Sequence, residues 1–278
     1  MAYNEMDIVN DNQIIFLKFK RNINFNQSSI MKKLVLILTV MLFIGSMYGQ
    51  ISYLQYRHVP ADQDAKFLER ETKQWSKVAQ SAIKKGQMKS WSLWRKVGIT
   101  NPGESSPNYV IVNTYESLDT MNPNKVWSDN MDALGDVKYE DIETGSFTTT
   151  TFDYFVQSED YITGDYKYAL VNYAKPTDLN AFIQENRSLW KPLHEDSIKN
   201  VLNAMTYWGI SSVIYPAGNQ DRFSVFTVDG FNKLNDALDY LRFTETSANS
   251  PNAAAWNDVL EKTKMDYNKP QYSILCSG

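Results

Sequence analysis

Apolar side chains recur every three or four residues in two stretches of this chain that lie 115 residues apart. The first runs Phe67, Leu68, Glu71, Trp75, Val78, Ala82, Ile83; the second runs Leu179, Phe182, Ile183, Asn186, Trp190, Leu193, Ser197, Val201. That spacing places the apolar positions on one face of a helix, with a polar interruption in each stripe. Before each helix stands an aromatic and β-branched stretch with the character of a strand, Ser52 to Val59 and Asp165 to Ala174. Asp62 and Thr177, beside or just after a proline, are placed to cap the helices. Pro192 removes a hydrogen bond from the second helix and predicts a kink or break near Leu189 to Trp190.

The segments after each helix repeat as well. Met88 to Val97 and Met205 to Ile214 read as strands, and turn-rich loops come next at Asn101 to Pro107 and Pro216 to Asp221. Tyr109 to Tyr115 matches Phe223 to Asp229; Trp127 and Trp256 fall in matching helical stretches; Ser146 to Gln157 and Gln271 to Cys276 close the copies. With a two-residue shift after the helix, Met88 and Trp91 match Met205 and Trp208. The order is β-α-β-β-α-β twice, an α+β class built of two tandem ferredoxin-like units. Each unit leaves one sheet face bare, so the two antiparallel sheets are expected to pair within the chain as a pseudo-dimeric α+β barrel. The expected boundaries are 51–157 and 166–278, with 158–165 as linker, and the expected state is a monomer with internal pseudo-twofold symmetry.

The N-terminal fifty residues carry a different pattern. Met31, Lys32 and Lys33 precede an apolar run from Leu34 to Ile44 and a small-residue exit ending at Gln50, the layout of a secretory signal peptide over 31–50. The run is too short to span a bilayer comfortably, for which about 20 residues are needed. Residues 1–30 lie upstream of this complete signal and read as a misassigned start. The expectation is an exported protein, periplasmic or extracellular in a Gram-negative bacterium, with no membrane attachment after cleavage.

Charge and composition then narrow the partners. The chain of 278 residues carries a formal charge of -4, and beyond residue 50 the balance is 23 Lys/Arg against 29 Asp/Glu. A mildly acidic chain without a basic stripe lacks the footprint of a nucleic-acid binder. The single cysteine, Cys276, excludes an intramolecular disulfide and reads as a strand-core residue. No HExxH, paired-histidine or cysteine cluster suggests a metal, and no glycine-rich loop opens a helix to cradle phosphate. Glu69 to Glu71 and Glu195 with Asp196 read as solvated helix faces.

Only two histidines exist, His58 and His194, and nothing in the repeat brings them together. Either is a candidate acid or base, and His194 a candidate axial ligand; the alternative is an exposed helix residue balanced by Glu195 and Asp196. The abundant tryptophans offer more. Trp75, Trp91, Trp94, Trp190 and Trp208 can line a slot for a flat apolar ligand, with Tyr53, Arg57, Arg95 and Asn172 as polar contacts at its mouth; equally, they can be packed core.

The segments Glu71–Trp75, Lys85–Trp94, Glu185–His194 and Ala204–Trp208, with the repeat over 51–278, resemble the dimeric α+β barrel superfamily, including its monooxygenase-like and NIPSNAP-like domains. The resemblance implies ligand sites between each sheet and its own helices. It implies no single chemistry, since the superfamily holds cofactor-free oxygenases, haem enzymes, isomerases and domains without activity. The expected function is binding of a small apolar or aromatic molecule, or of a partner, without catalysis and without a cofactor. The alternative is a cofactor-independent monooxygenase-like or haem-handling enzyme.

Overall fold

In a computed structural model the chain is described over residues 49–98, 103, 106–218, 221–242, 253–264 and 272–278. The expected extension 1–30, nearly all of the signal segment and parts of both turn-rich loops lie outside these residues.

Eight strands form one closed antiparallel barrel: β1 (Ile51–His58), β2 (Ser90–Lys96), β3 (Tyr109–Tyr115), β4 (Thr149–Ile162), β5 (Tyr168–Ala174), β6 (Met205–Tyr215), β7 (Val225–Phe231) and β8 (Tyr272–Ser277). Their order around the barrel is β1-β3-β2-β8-β5-β7-β6-β4. Each repeat thus supplies a four-stranded ferredoxin-like sheet, and the sheets join edge to edge at β4 with β6 and at β2 with β8. The two seams differ: among the described residues seven pairs join β4 to β6 and two join β2 to β8. β4 runs through Ile162 and so enters the stretch 158–165 expected to link the repeats.

Alternation along β1 shows how the sequence sets the two faces. Leu54 and Tyr56 point into the barrel, where they meet Tyr154, Val156, Tyr173, Phe223 and Phe226. Tyr53 and Arg57 point the other way, toward the helices. This part of the barrel interior is an apolar core, crossed by a hydrogen bond of 3.0 Å between the hydroxyls of Tyr56 and Tyr173, and beside it a cavity of about 290 Å³ is lined by Ser52, Ser92, Trp94 and Thr114 among others.

Helices cover the outside of each sheet. In the first repeat α1 (Asp64–Arg70) and α2 (Ser76–Lys84) are joined without a break by a π-helical turn, Glu71–Trp75. In the second, α5 (Leu179–Glu185) and α6 (Lys191–Lys199) are joined in the same way by Asn186–Trp190. The shorter helices are α3 (Pro123–Ser128), α4 (Tyr139–Ile142), α7 (Leu234–Leu241) and α8 (Ala253–Lys262). Pro192 sits just inside α6 and is compatible with the π turn before it, but the first repeat has the same turn with no proline. The turn is therefore a property of the repeat.

Two sequence expectations are corrected. Asp178 rather than Thr177 caps α5, its carboxylate accepting from the Ala181 amide at 2.9 Å, and Asp62 caps nothing. The strand ladders also revise the repeat alignment. Arg57 faces Tyr109 and Asn172 faces Thr227, so Tyr109 matches Thr227 rather than Phe223. In the same frame Ile111 matches Asp229. Leu93 faces Ile111 and Trp208 faces Asp229, so Leu93, not Trp91, stands where Trp208 stands. No two-residue shift follows the helix.

Candidate functional site

The π turns decide what faces the sheets. In each repeat the polar residue that interrupts the apolar stripe, Glu71 or Asn186, opens the π turn and is buried. Glu71 is only 4% exposed, which corrects its reading as a solvated face. Beside this turn a cavity lies between helix and sheet in both repeats, and several of the sequence-nominated residues divide between the two.

The cavity of the second repeat encloses about 310 Å³. Its floor is Asn172 of β5, Trp208 of β6 and Asp229 of β7; its roof is Asn186, Trp190 and His194; α8 closes one side with Trp256. Trp208 is 1% exposed and belongs to the core cluster under the helices, so it forms a wall and also carries packing. His194 is 4% exposed, which corrects its reading as a surface residue. Its ring lies roughly parallel to Trp190 and Trp208, with centroids 6.2 and 5.6 Å away, and edge-on to Trp256 at 5.9 Å.

Asn172, Asn186, Thr227, Tyr240 and Ser273 line this cavity besides His194 and Asp229, and the states of its ionisable groups are shifted. Burial pulls the His194 imidazole down to about 4, so it is neutral at pH 7, and its Nδ1 has no hydrogen-bond partner. Burial pushes the Asp229 carboxyl up to about 7, although Asn172 Nδ2 donates to Oδ2 at 2.9 Å. Asn172 in turn accepts from Ser273 Oγ at 2.6 Å, which fixes the orientation of its amide. The arrangement is an aromatic slot with one neutral imidazole, one carboxyl poised near neutrality, and uncharged amide and hydroxyl groups around them.

Trp75 and Trp91 lie in the other cavity, of about 490 Å³, with Arg57, Glu71, Trp127 and Tyr139. The remaining nominees stand elsewhere. Trp94 points to the barrel side and stacks on Tyr166 at 5.4 Å. Arg95 pairs with Asp64 at 3.0 Å and lies over the Tyr109 ring. Tyr53 donates to Asp153 and stacks on Phe155. His58 is buried apart from both cavities, with Nδ1 3.1 Å from the Ser106 carbonyl oxygen. Burial pushes the Cys276 thiol up to about 12, so at neutral pH it is an inert strand residue.

Asp229 and Trp256 were not nominated from the sequence. Trp256 was legible as the counterpart of Trp127. Asp229 lies within an otherwise apolar strand, VFTVDGF, where a lone acid on the helix-facing side is the signal.

No family model matches the chain, and no curated protein matches it. Among solved structures it is similar to an anthrone oxidase-like protein, with a TM-score of 0.48 and 10% identity over 84% of this chain and 92% of that one. It is also similar to a mutant chlorite dismutase from Candidatus Nitrospira defluvii, with a TM-score of 0.42 and 12% identity over 84% and 93% of the two chains. A heme-binding protein from Thermus thermophilus gives 0.42 and 11% over 83% and 91%. Likeness at this level says nothing about ligand or reaction.

Haem can therefore be judged only on the residues present, and they do not fit it. The second cavity has an imidazole, but among the described residues no Lys or Arg lines the space to meet propionates, and Asp229 would oppose them. The first cavity has no histidine. Among the described residues no cluster of three His, Cys, Asp or Glu forms, and no helix is long and apolar enough to cross a membrane. The barrel order and the helices outside it give this chain the architecture of the dimeric α+β barrel, completed within one polypeptide.

Proposed function

We propose that this protein binds a small, flat, largely apolar molecule in the helix-covered cavity of its second repeat, and that the ligand carries a polar group which hydrogen-bonds His194. One observation carries the reading: a buried, neutral imidazole facing an aromatic cavity has a nitrogen without a partner. Leaving such a group unsatisfied costs about 1–3 kcal/mol, a cost that a ligand's hydroxyl or carbonyl would relieve. The cavity volume lies at the lower end of the range of about 300–1,000 Å³ usual for small-molecule sites, which suits one or two fused rings. The segment Met31 to Gln50 supports action outside the cytoplasm.

The test uses 2-naphthol as probe, followed by quenching of tryptophan fluorescence in the full chain. His194→Leu fills the same space without the nitrogens. It is expected to weaken the probe about tenfold or more while raising unfolding stability by about 1 kcal/mol, because an unsatisfied polar group is gone. A variant that binds as the native chain does would end the proposal.

A catalytic reading, that of a cofactor-independent oxygenase, is favoured by Asp229. A carboxyl poised near 7 beside an aromatic slot can take a proton from a bound hydroxyaromatic, since a general base works best when its pKa lies near the working pH. If this reading holds, Asp229→Asn leaves 2-naphthol binding in place and abolishes oxygen consumption with polycyclic phenols. No consumption by the native chain would leave binding as the function.

A further inference from the structure

The two cavities are related by the repeat but not by chemistry. Arg57 of the first stands where Asn172 stands in the second, Glu71 where Asn186 stands, and Ile111 where Asp229 stands. The first cavity thus exchanges a buried acid on the sheet for an arginine on the sheet and an acid on the helix.

Arg57 is half-buried and its guanidinium is only partly engaged. Nη1 donates to Thr148 Oγ1 at 3.2 Å and Nη2 to Gln55 Oε1 at 3.1 Å; both partners are neutral. Nε is buried with no partner, and Arg57 forms no ion pair among the described residues. A cation drawn out of water without a counter-charge is costly, and a planar fork of donors matches a carboxylate. Glu71 supplies that charge only in part. It accepts from Thr144 Oγ1 at 3.2 Å, and burial pushes its carboxyl up to about 7 in spite of Arg57. The walls around this cation are aromatic. Trp75 is fixed by its Nε1 donating to the Ile142 carbonyl at 3.0 Å and meets Trp127 edge-on at 5.6 Å.

We propose that the helix-covered cavity of the first repeat is a second binding site, separate from that of the second repeat, and that it takes a flat aromatic carboxylate with Arg57 as its charge partner. The carboxylate pairs with the guanidinium, whose hydrogen-bond partners are neutral, and the ring lies among Trp75, Trp91 and Trp127. The titratable groups lining the cavity are Arg57 from β1, Glu71 from the π turn and Tyr139 from α4. An added anion favours the protonated form of Glu71, so binding takes up a proton and weakens as pH rises above about 7.

The experiment is calorimetric titration of the full chain with 2-naphthoate, which differs from 2-naphthol only in its head group. Titrations at pH 7 in two buffers of different ionisation heat report proton uptake. Native protein is expected to bind 2-naphthoate with a Kd below about 1 mM while saturated with 2-naphthol, because the sites are independent. Arg57→Met should weaken 2-naphthoate about tenfold or more and leave 2-naphthol unchanged. Glu71→Gln should keep the affinity and lose the proton uptake. Competition between the two probes on native protein, unchanged binding in Arg57→Met, or no heat at all overturns the proposal. His194→Leu separates it from the reading of the second repeat: that variant should lose 2-naphthol and keep 2-naphthoate.

Discussion

At the scale of single residues, three buried ionisable groups contribute to the response of the fold to pH between about 4 and 7. His194 in the unfolded chain takes up a proton from about 6.5 downward, but the folded chain does so only near 4. Its contribution to stability is therefore lost as pH falls from 6.5 to 4. Asp229 acts in the opposite direction. The unfolded carboxyl ionises near 3.8 and the folded one near 7, so its contribution is full at low pH and declines as pH rises between those values. Glu71 follows Asp229 from 4.5 to 7. Asp229→Asn is thus expected to gain stability relative to native protein steadily from pH 4 to pH 7, as measured by denaturant unfolding at a series of pH values. A constant difference across that range would show that Asp229 is not raised by burial. Of these groups only His194 was nominated from the sequence. Glu71 was misread because Glu69 and Lys73 beside it are exposed, although it stood on the apolar stripe where a polar residue has no reason to be unless it is buried.

At the scale of elements, the paired π turns link sequence to site. A π turn accommodates one extra residue in a helix, so the faces before and after it both remain on the sheet while the turn itself bulges. Deleting Ser188 should restore regular winding through α5 and α6, keep the chain folded by circular dichroism, and abolish 2-naphthol binding by displacing Asn186 and Trp190. Retention of binding would show that the bulge does not shape the cavity. Periodicity predicted both long helices because the apolar stripe survives the bulge. It could not show the bulge, since the four-residue steps Phe67–Glu71–Trp75 and Phe182–Asn186–Trp190 are also those of an ordinary α-helical stripe. Strand existence was legible from aromatic and β-branched runs. The register of β7 was not, because the loops before β3 and β7 differ in length and sparse identity across them allows several alignments; the ladder alone brings Asp229 opposite Trp208.

At the scale of the whole molecule, the barrel followed from one physical requirement, that two half-bare sheets of one chain cover each other. The repeat order was enough to anticipate it, and the eight-strand closure meets it. What the repeat could not convey is that the two halves have diverged around their cavities. Five tryptophans nominated for one slot are spread over two helix-covered cavities and the barrel side, because equivalent positions in the copies lie on different sheets. The central claim is that His194 meets a ligand, and nitrogen-15 NMR of the two imidazoles tests it directly. With only His58 and His194 in the chain, a single histidine substitution assigns the spectrum. The account predicts that His194 stays neutral down to about pH 4 and that its ring nitrogens shift on saturation with 2-naphthol, while His58 does not respond. A His194 that titrates near 6.5, or ring nitrogens unmoved while the probe binds, would contradict it.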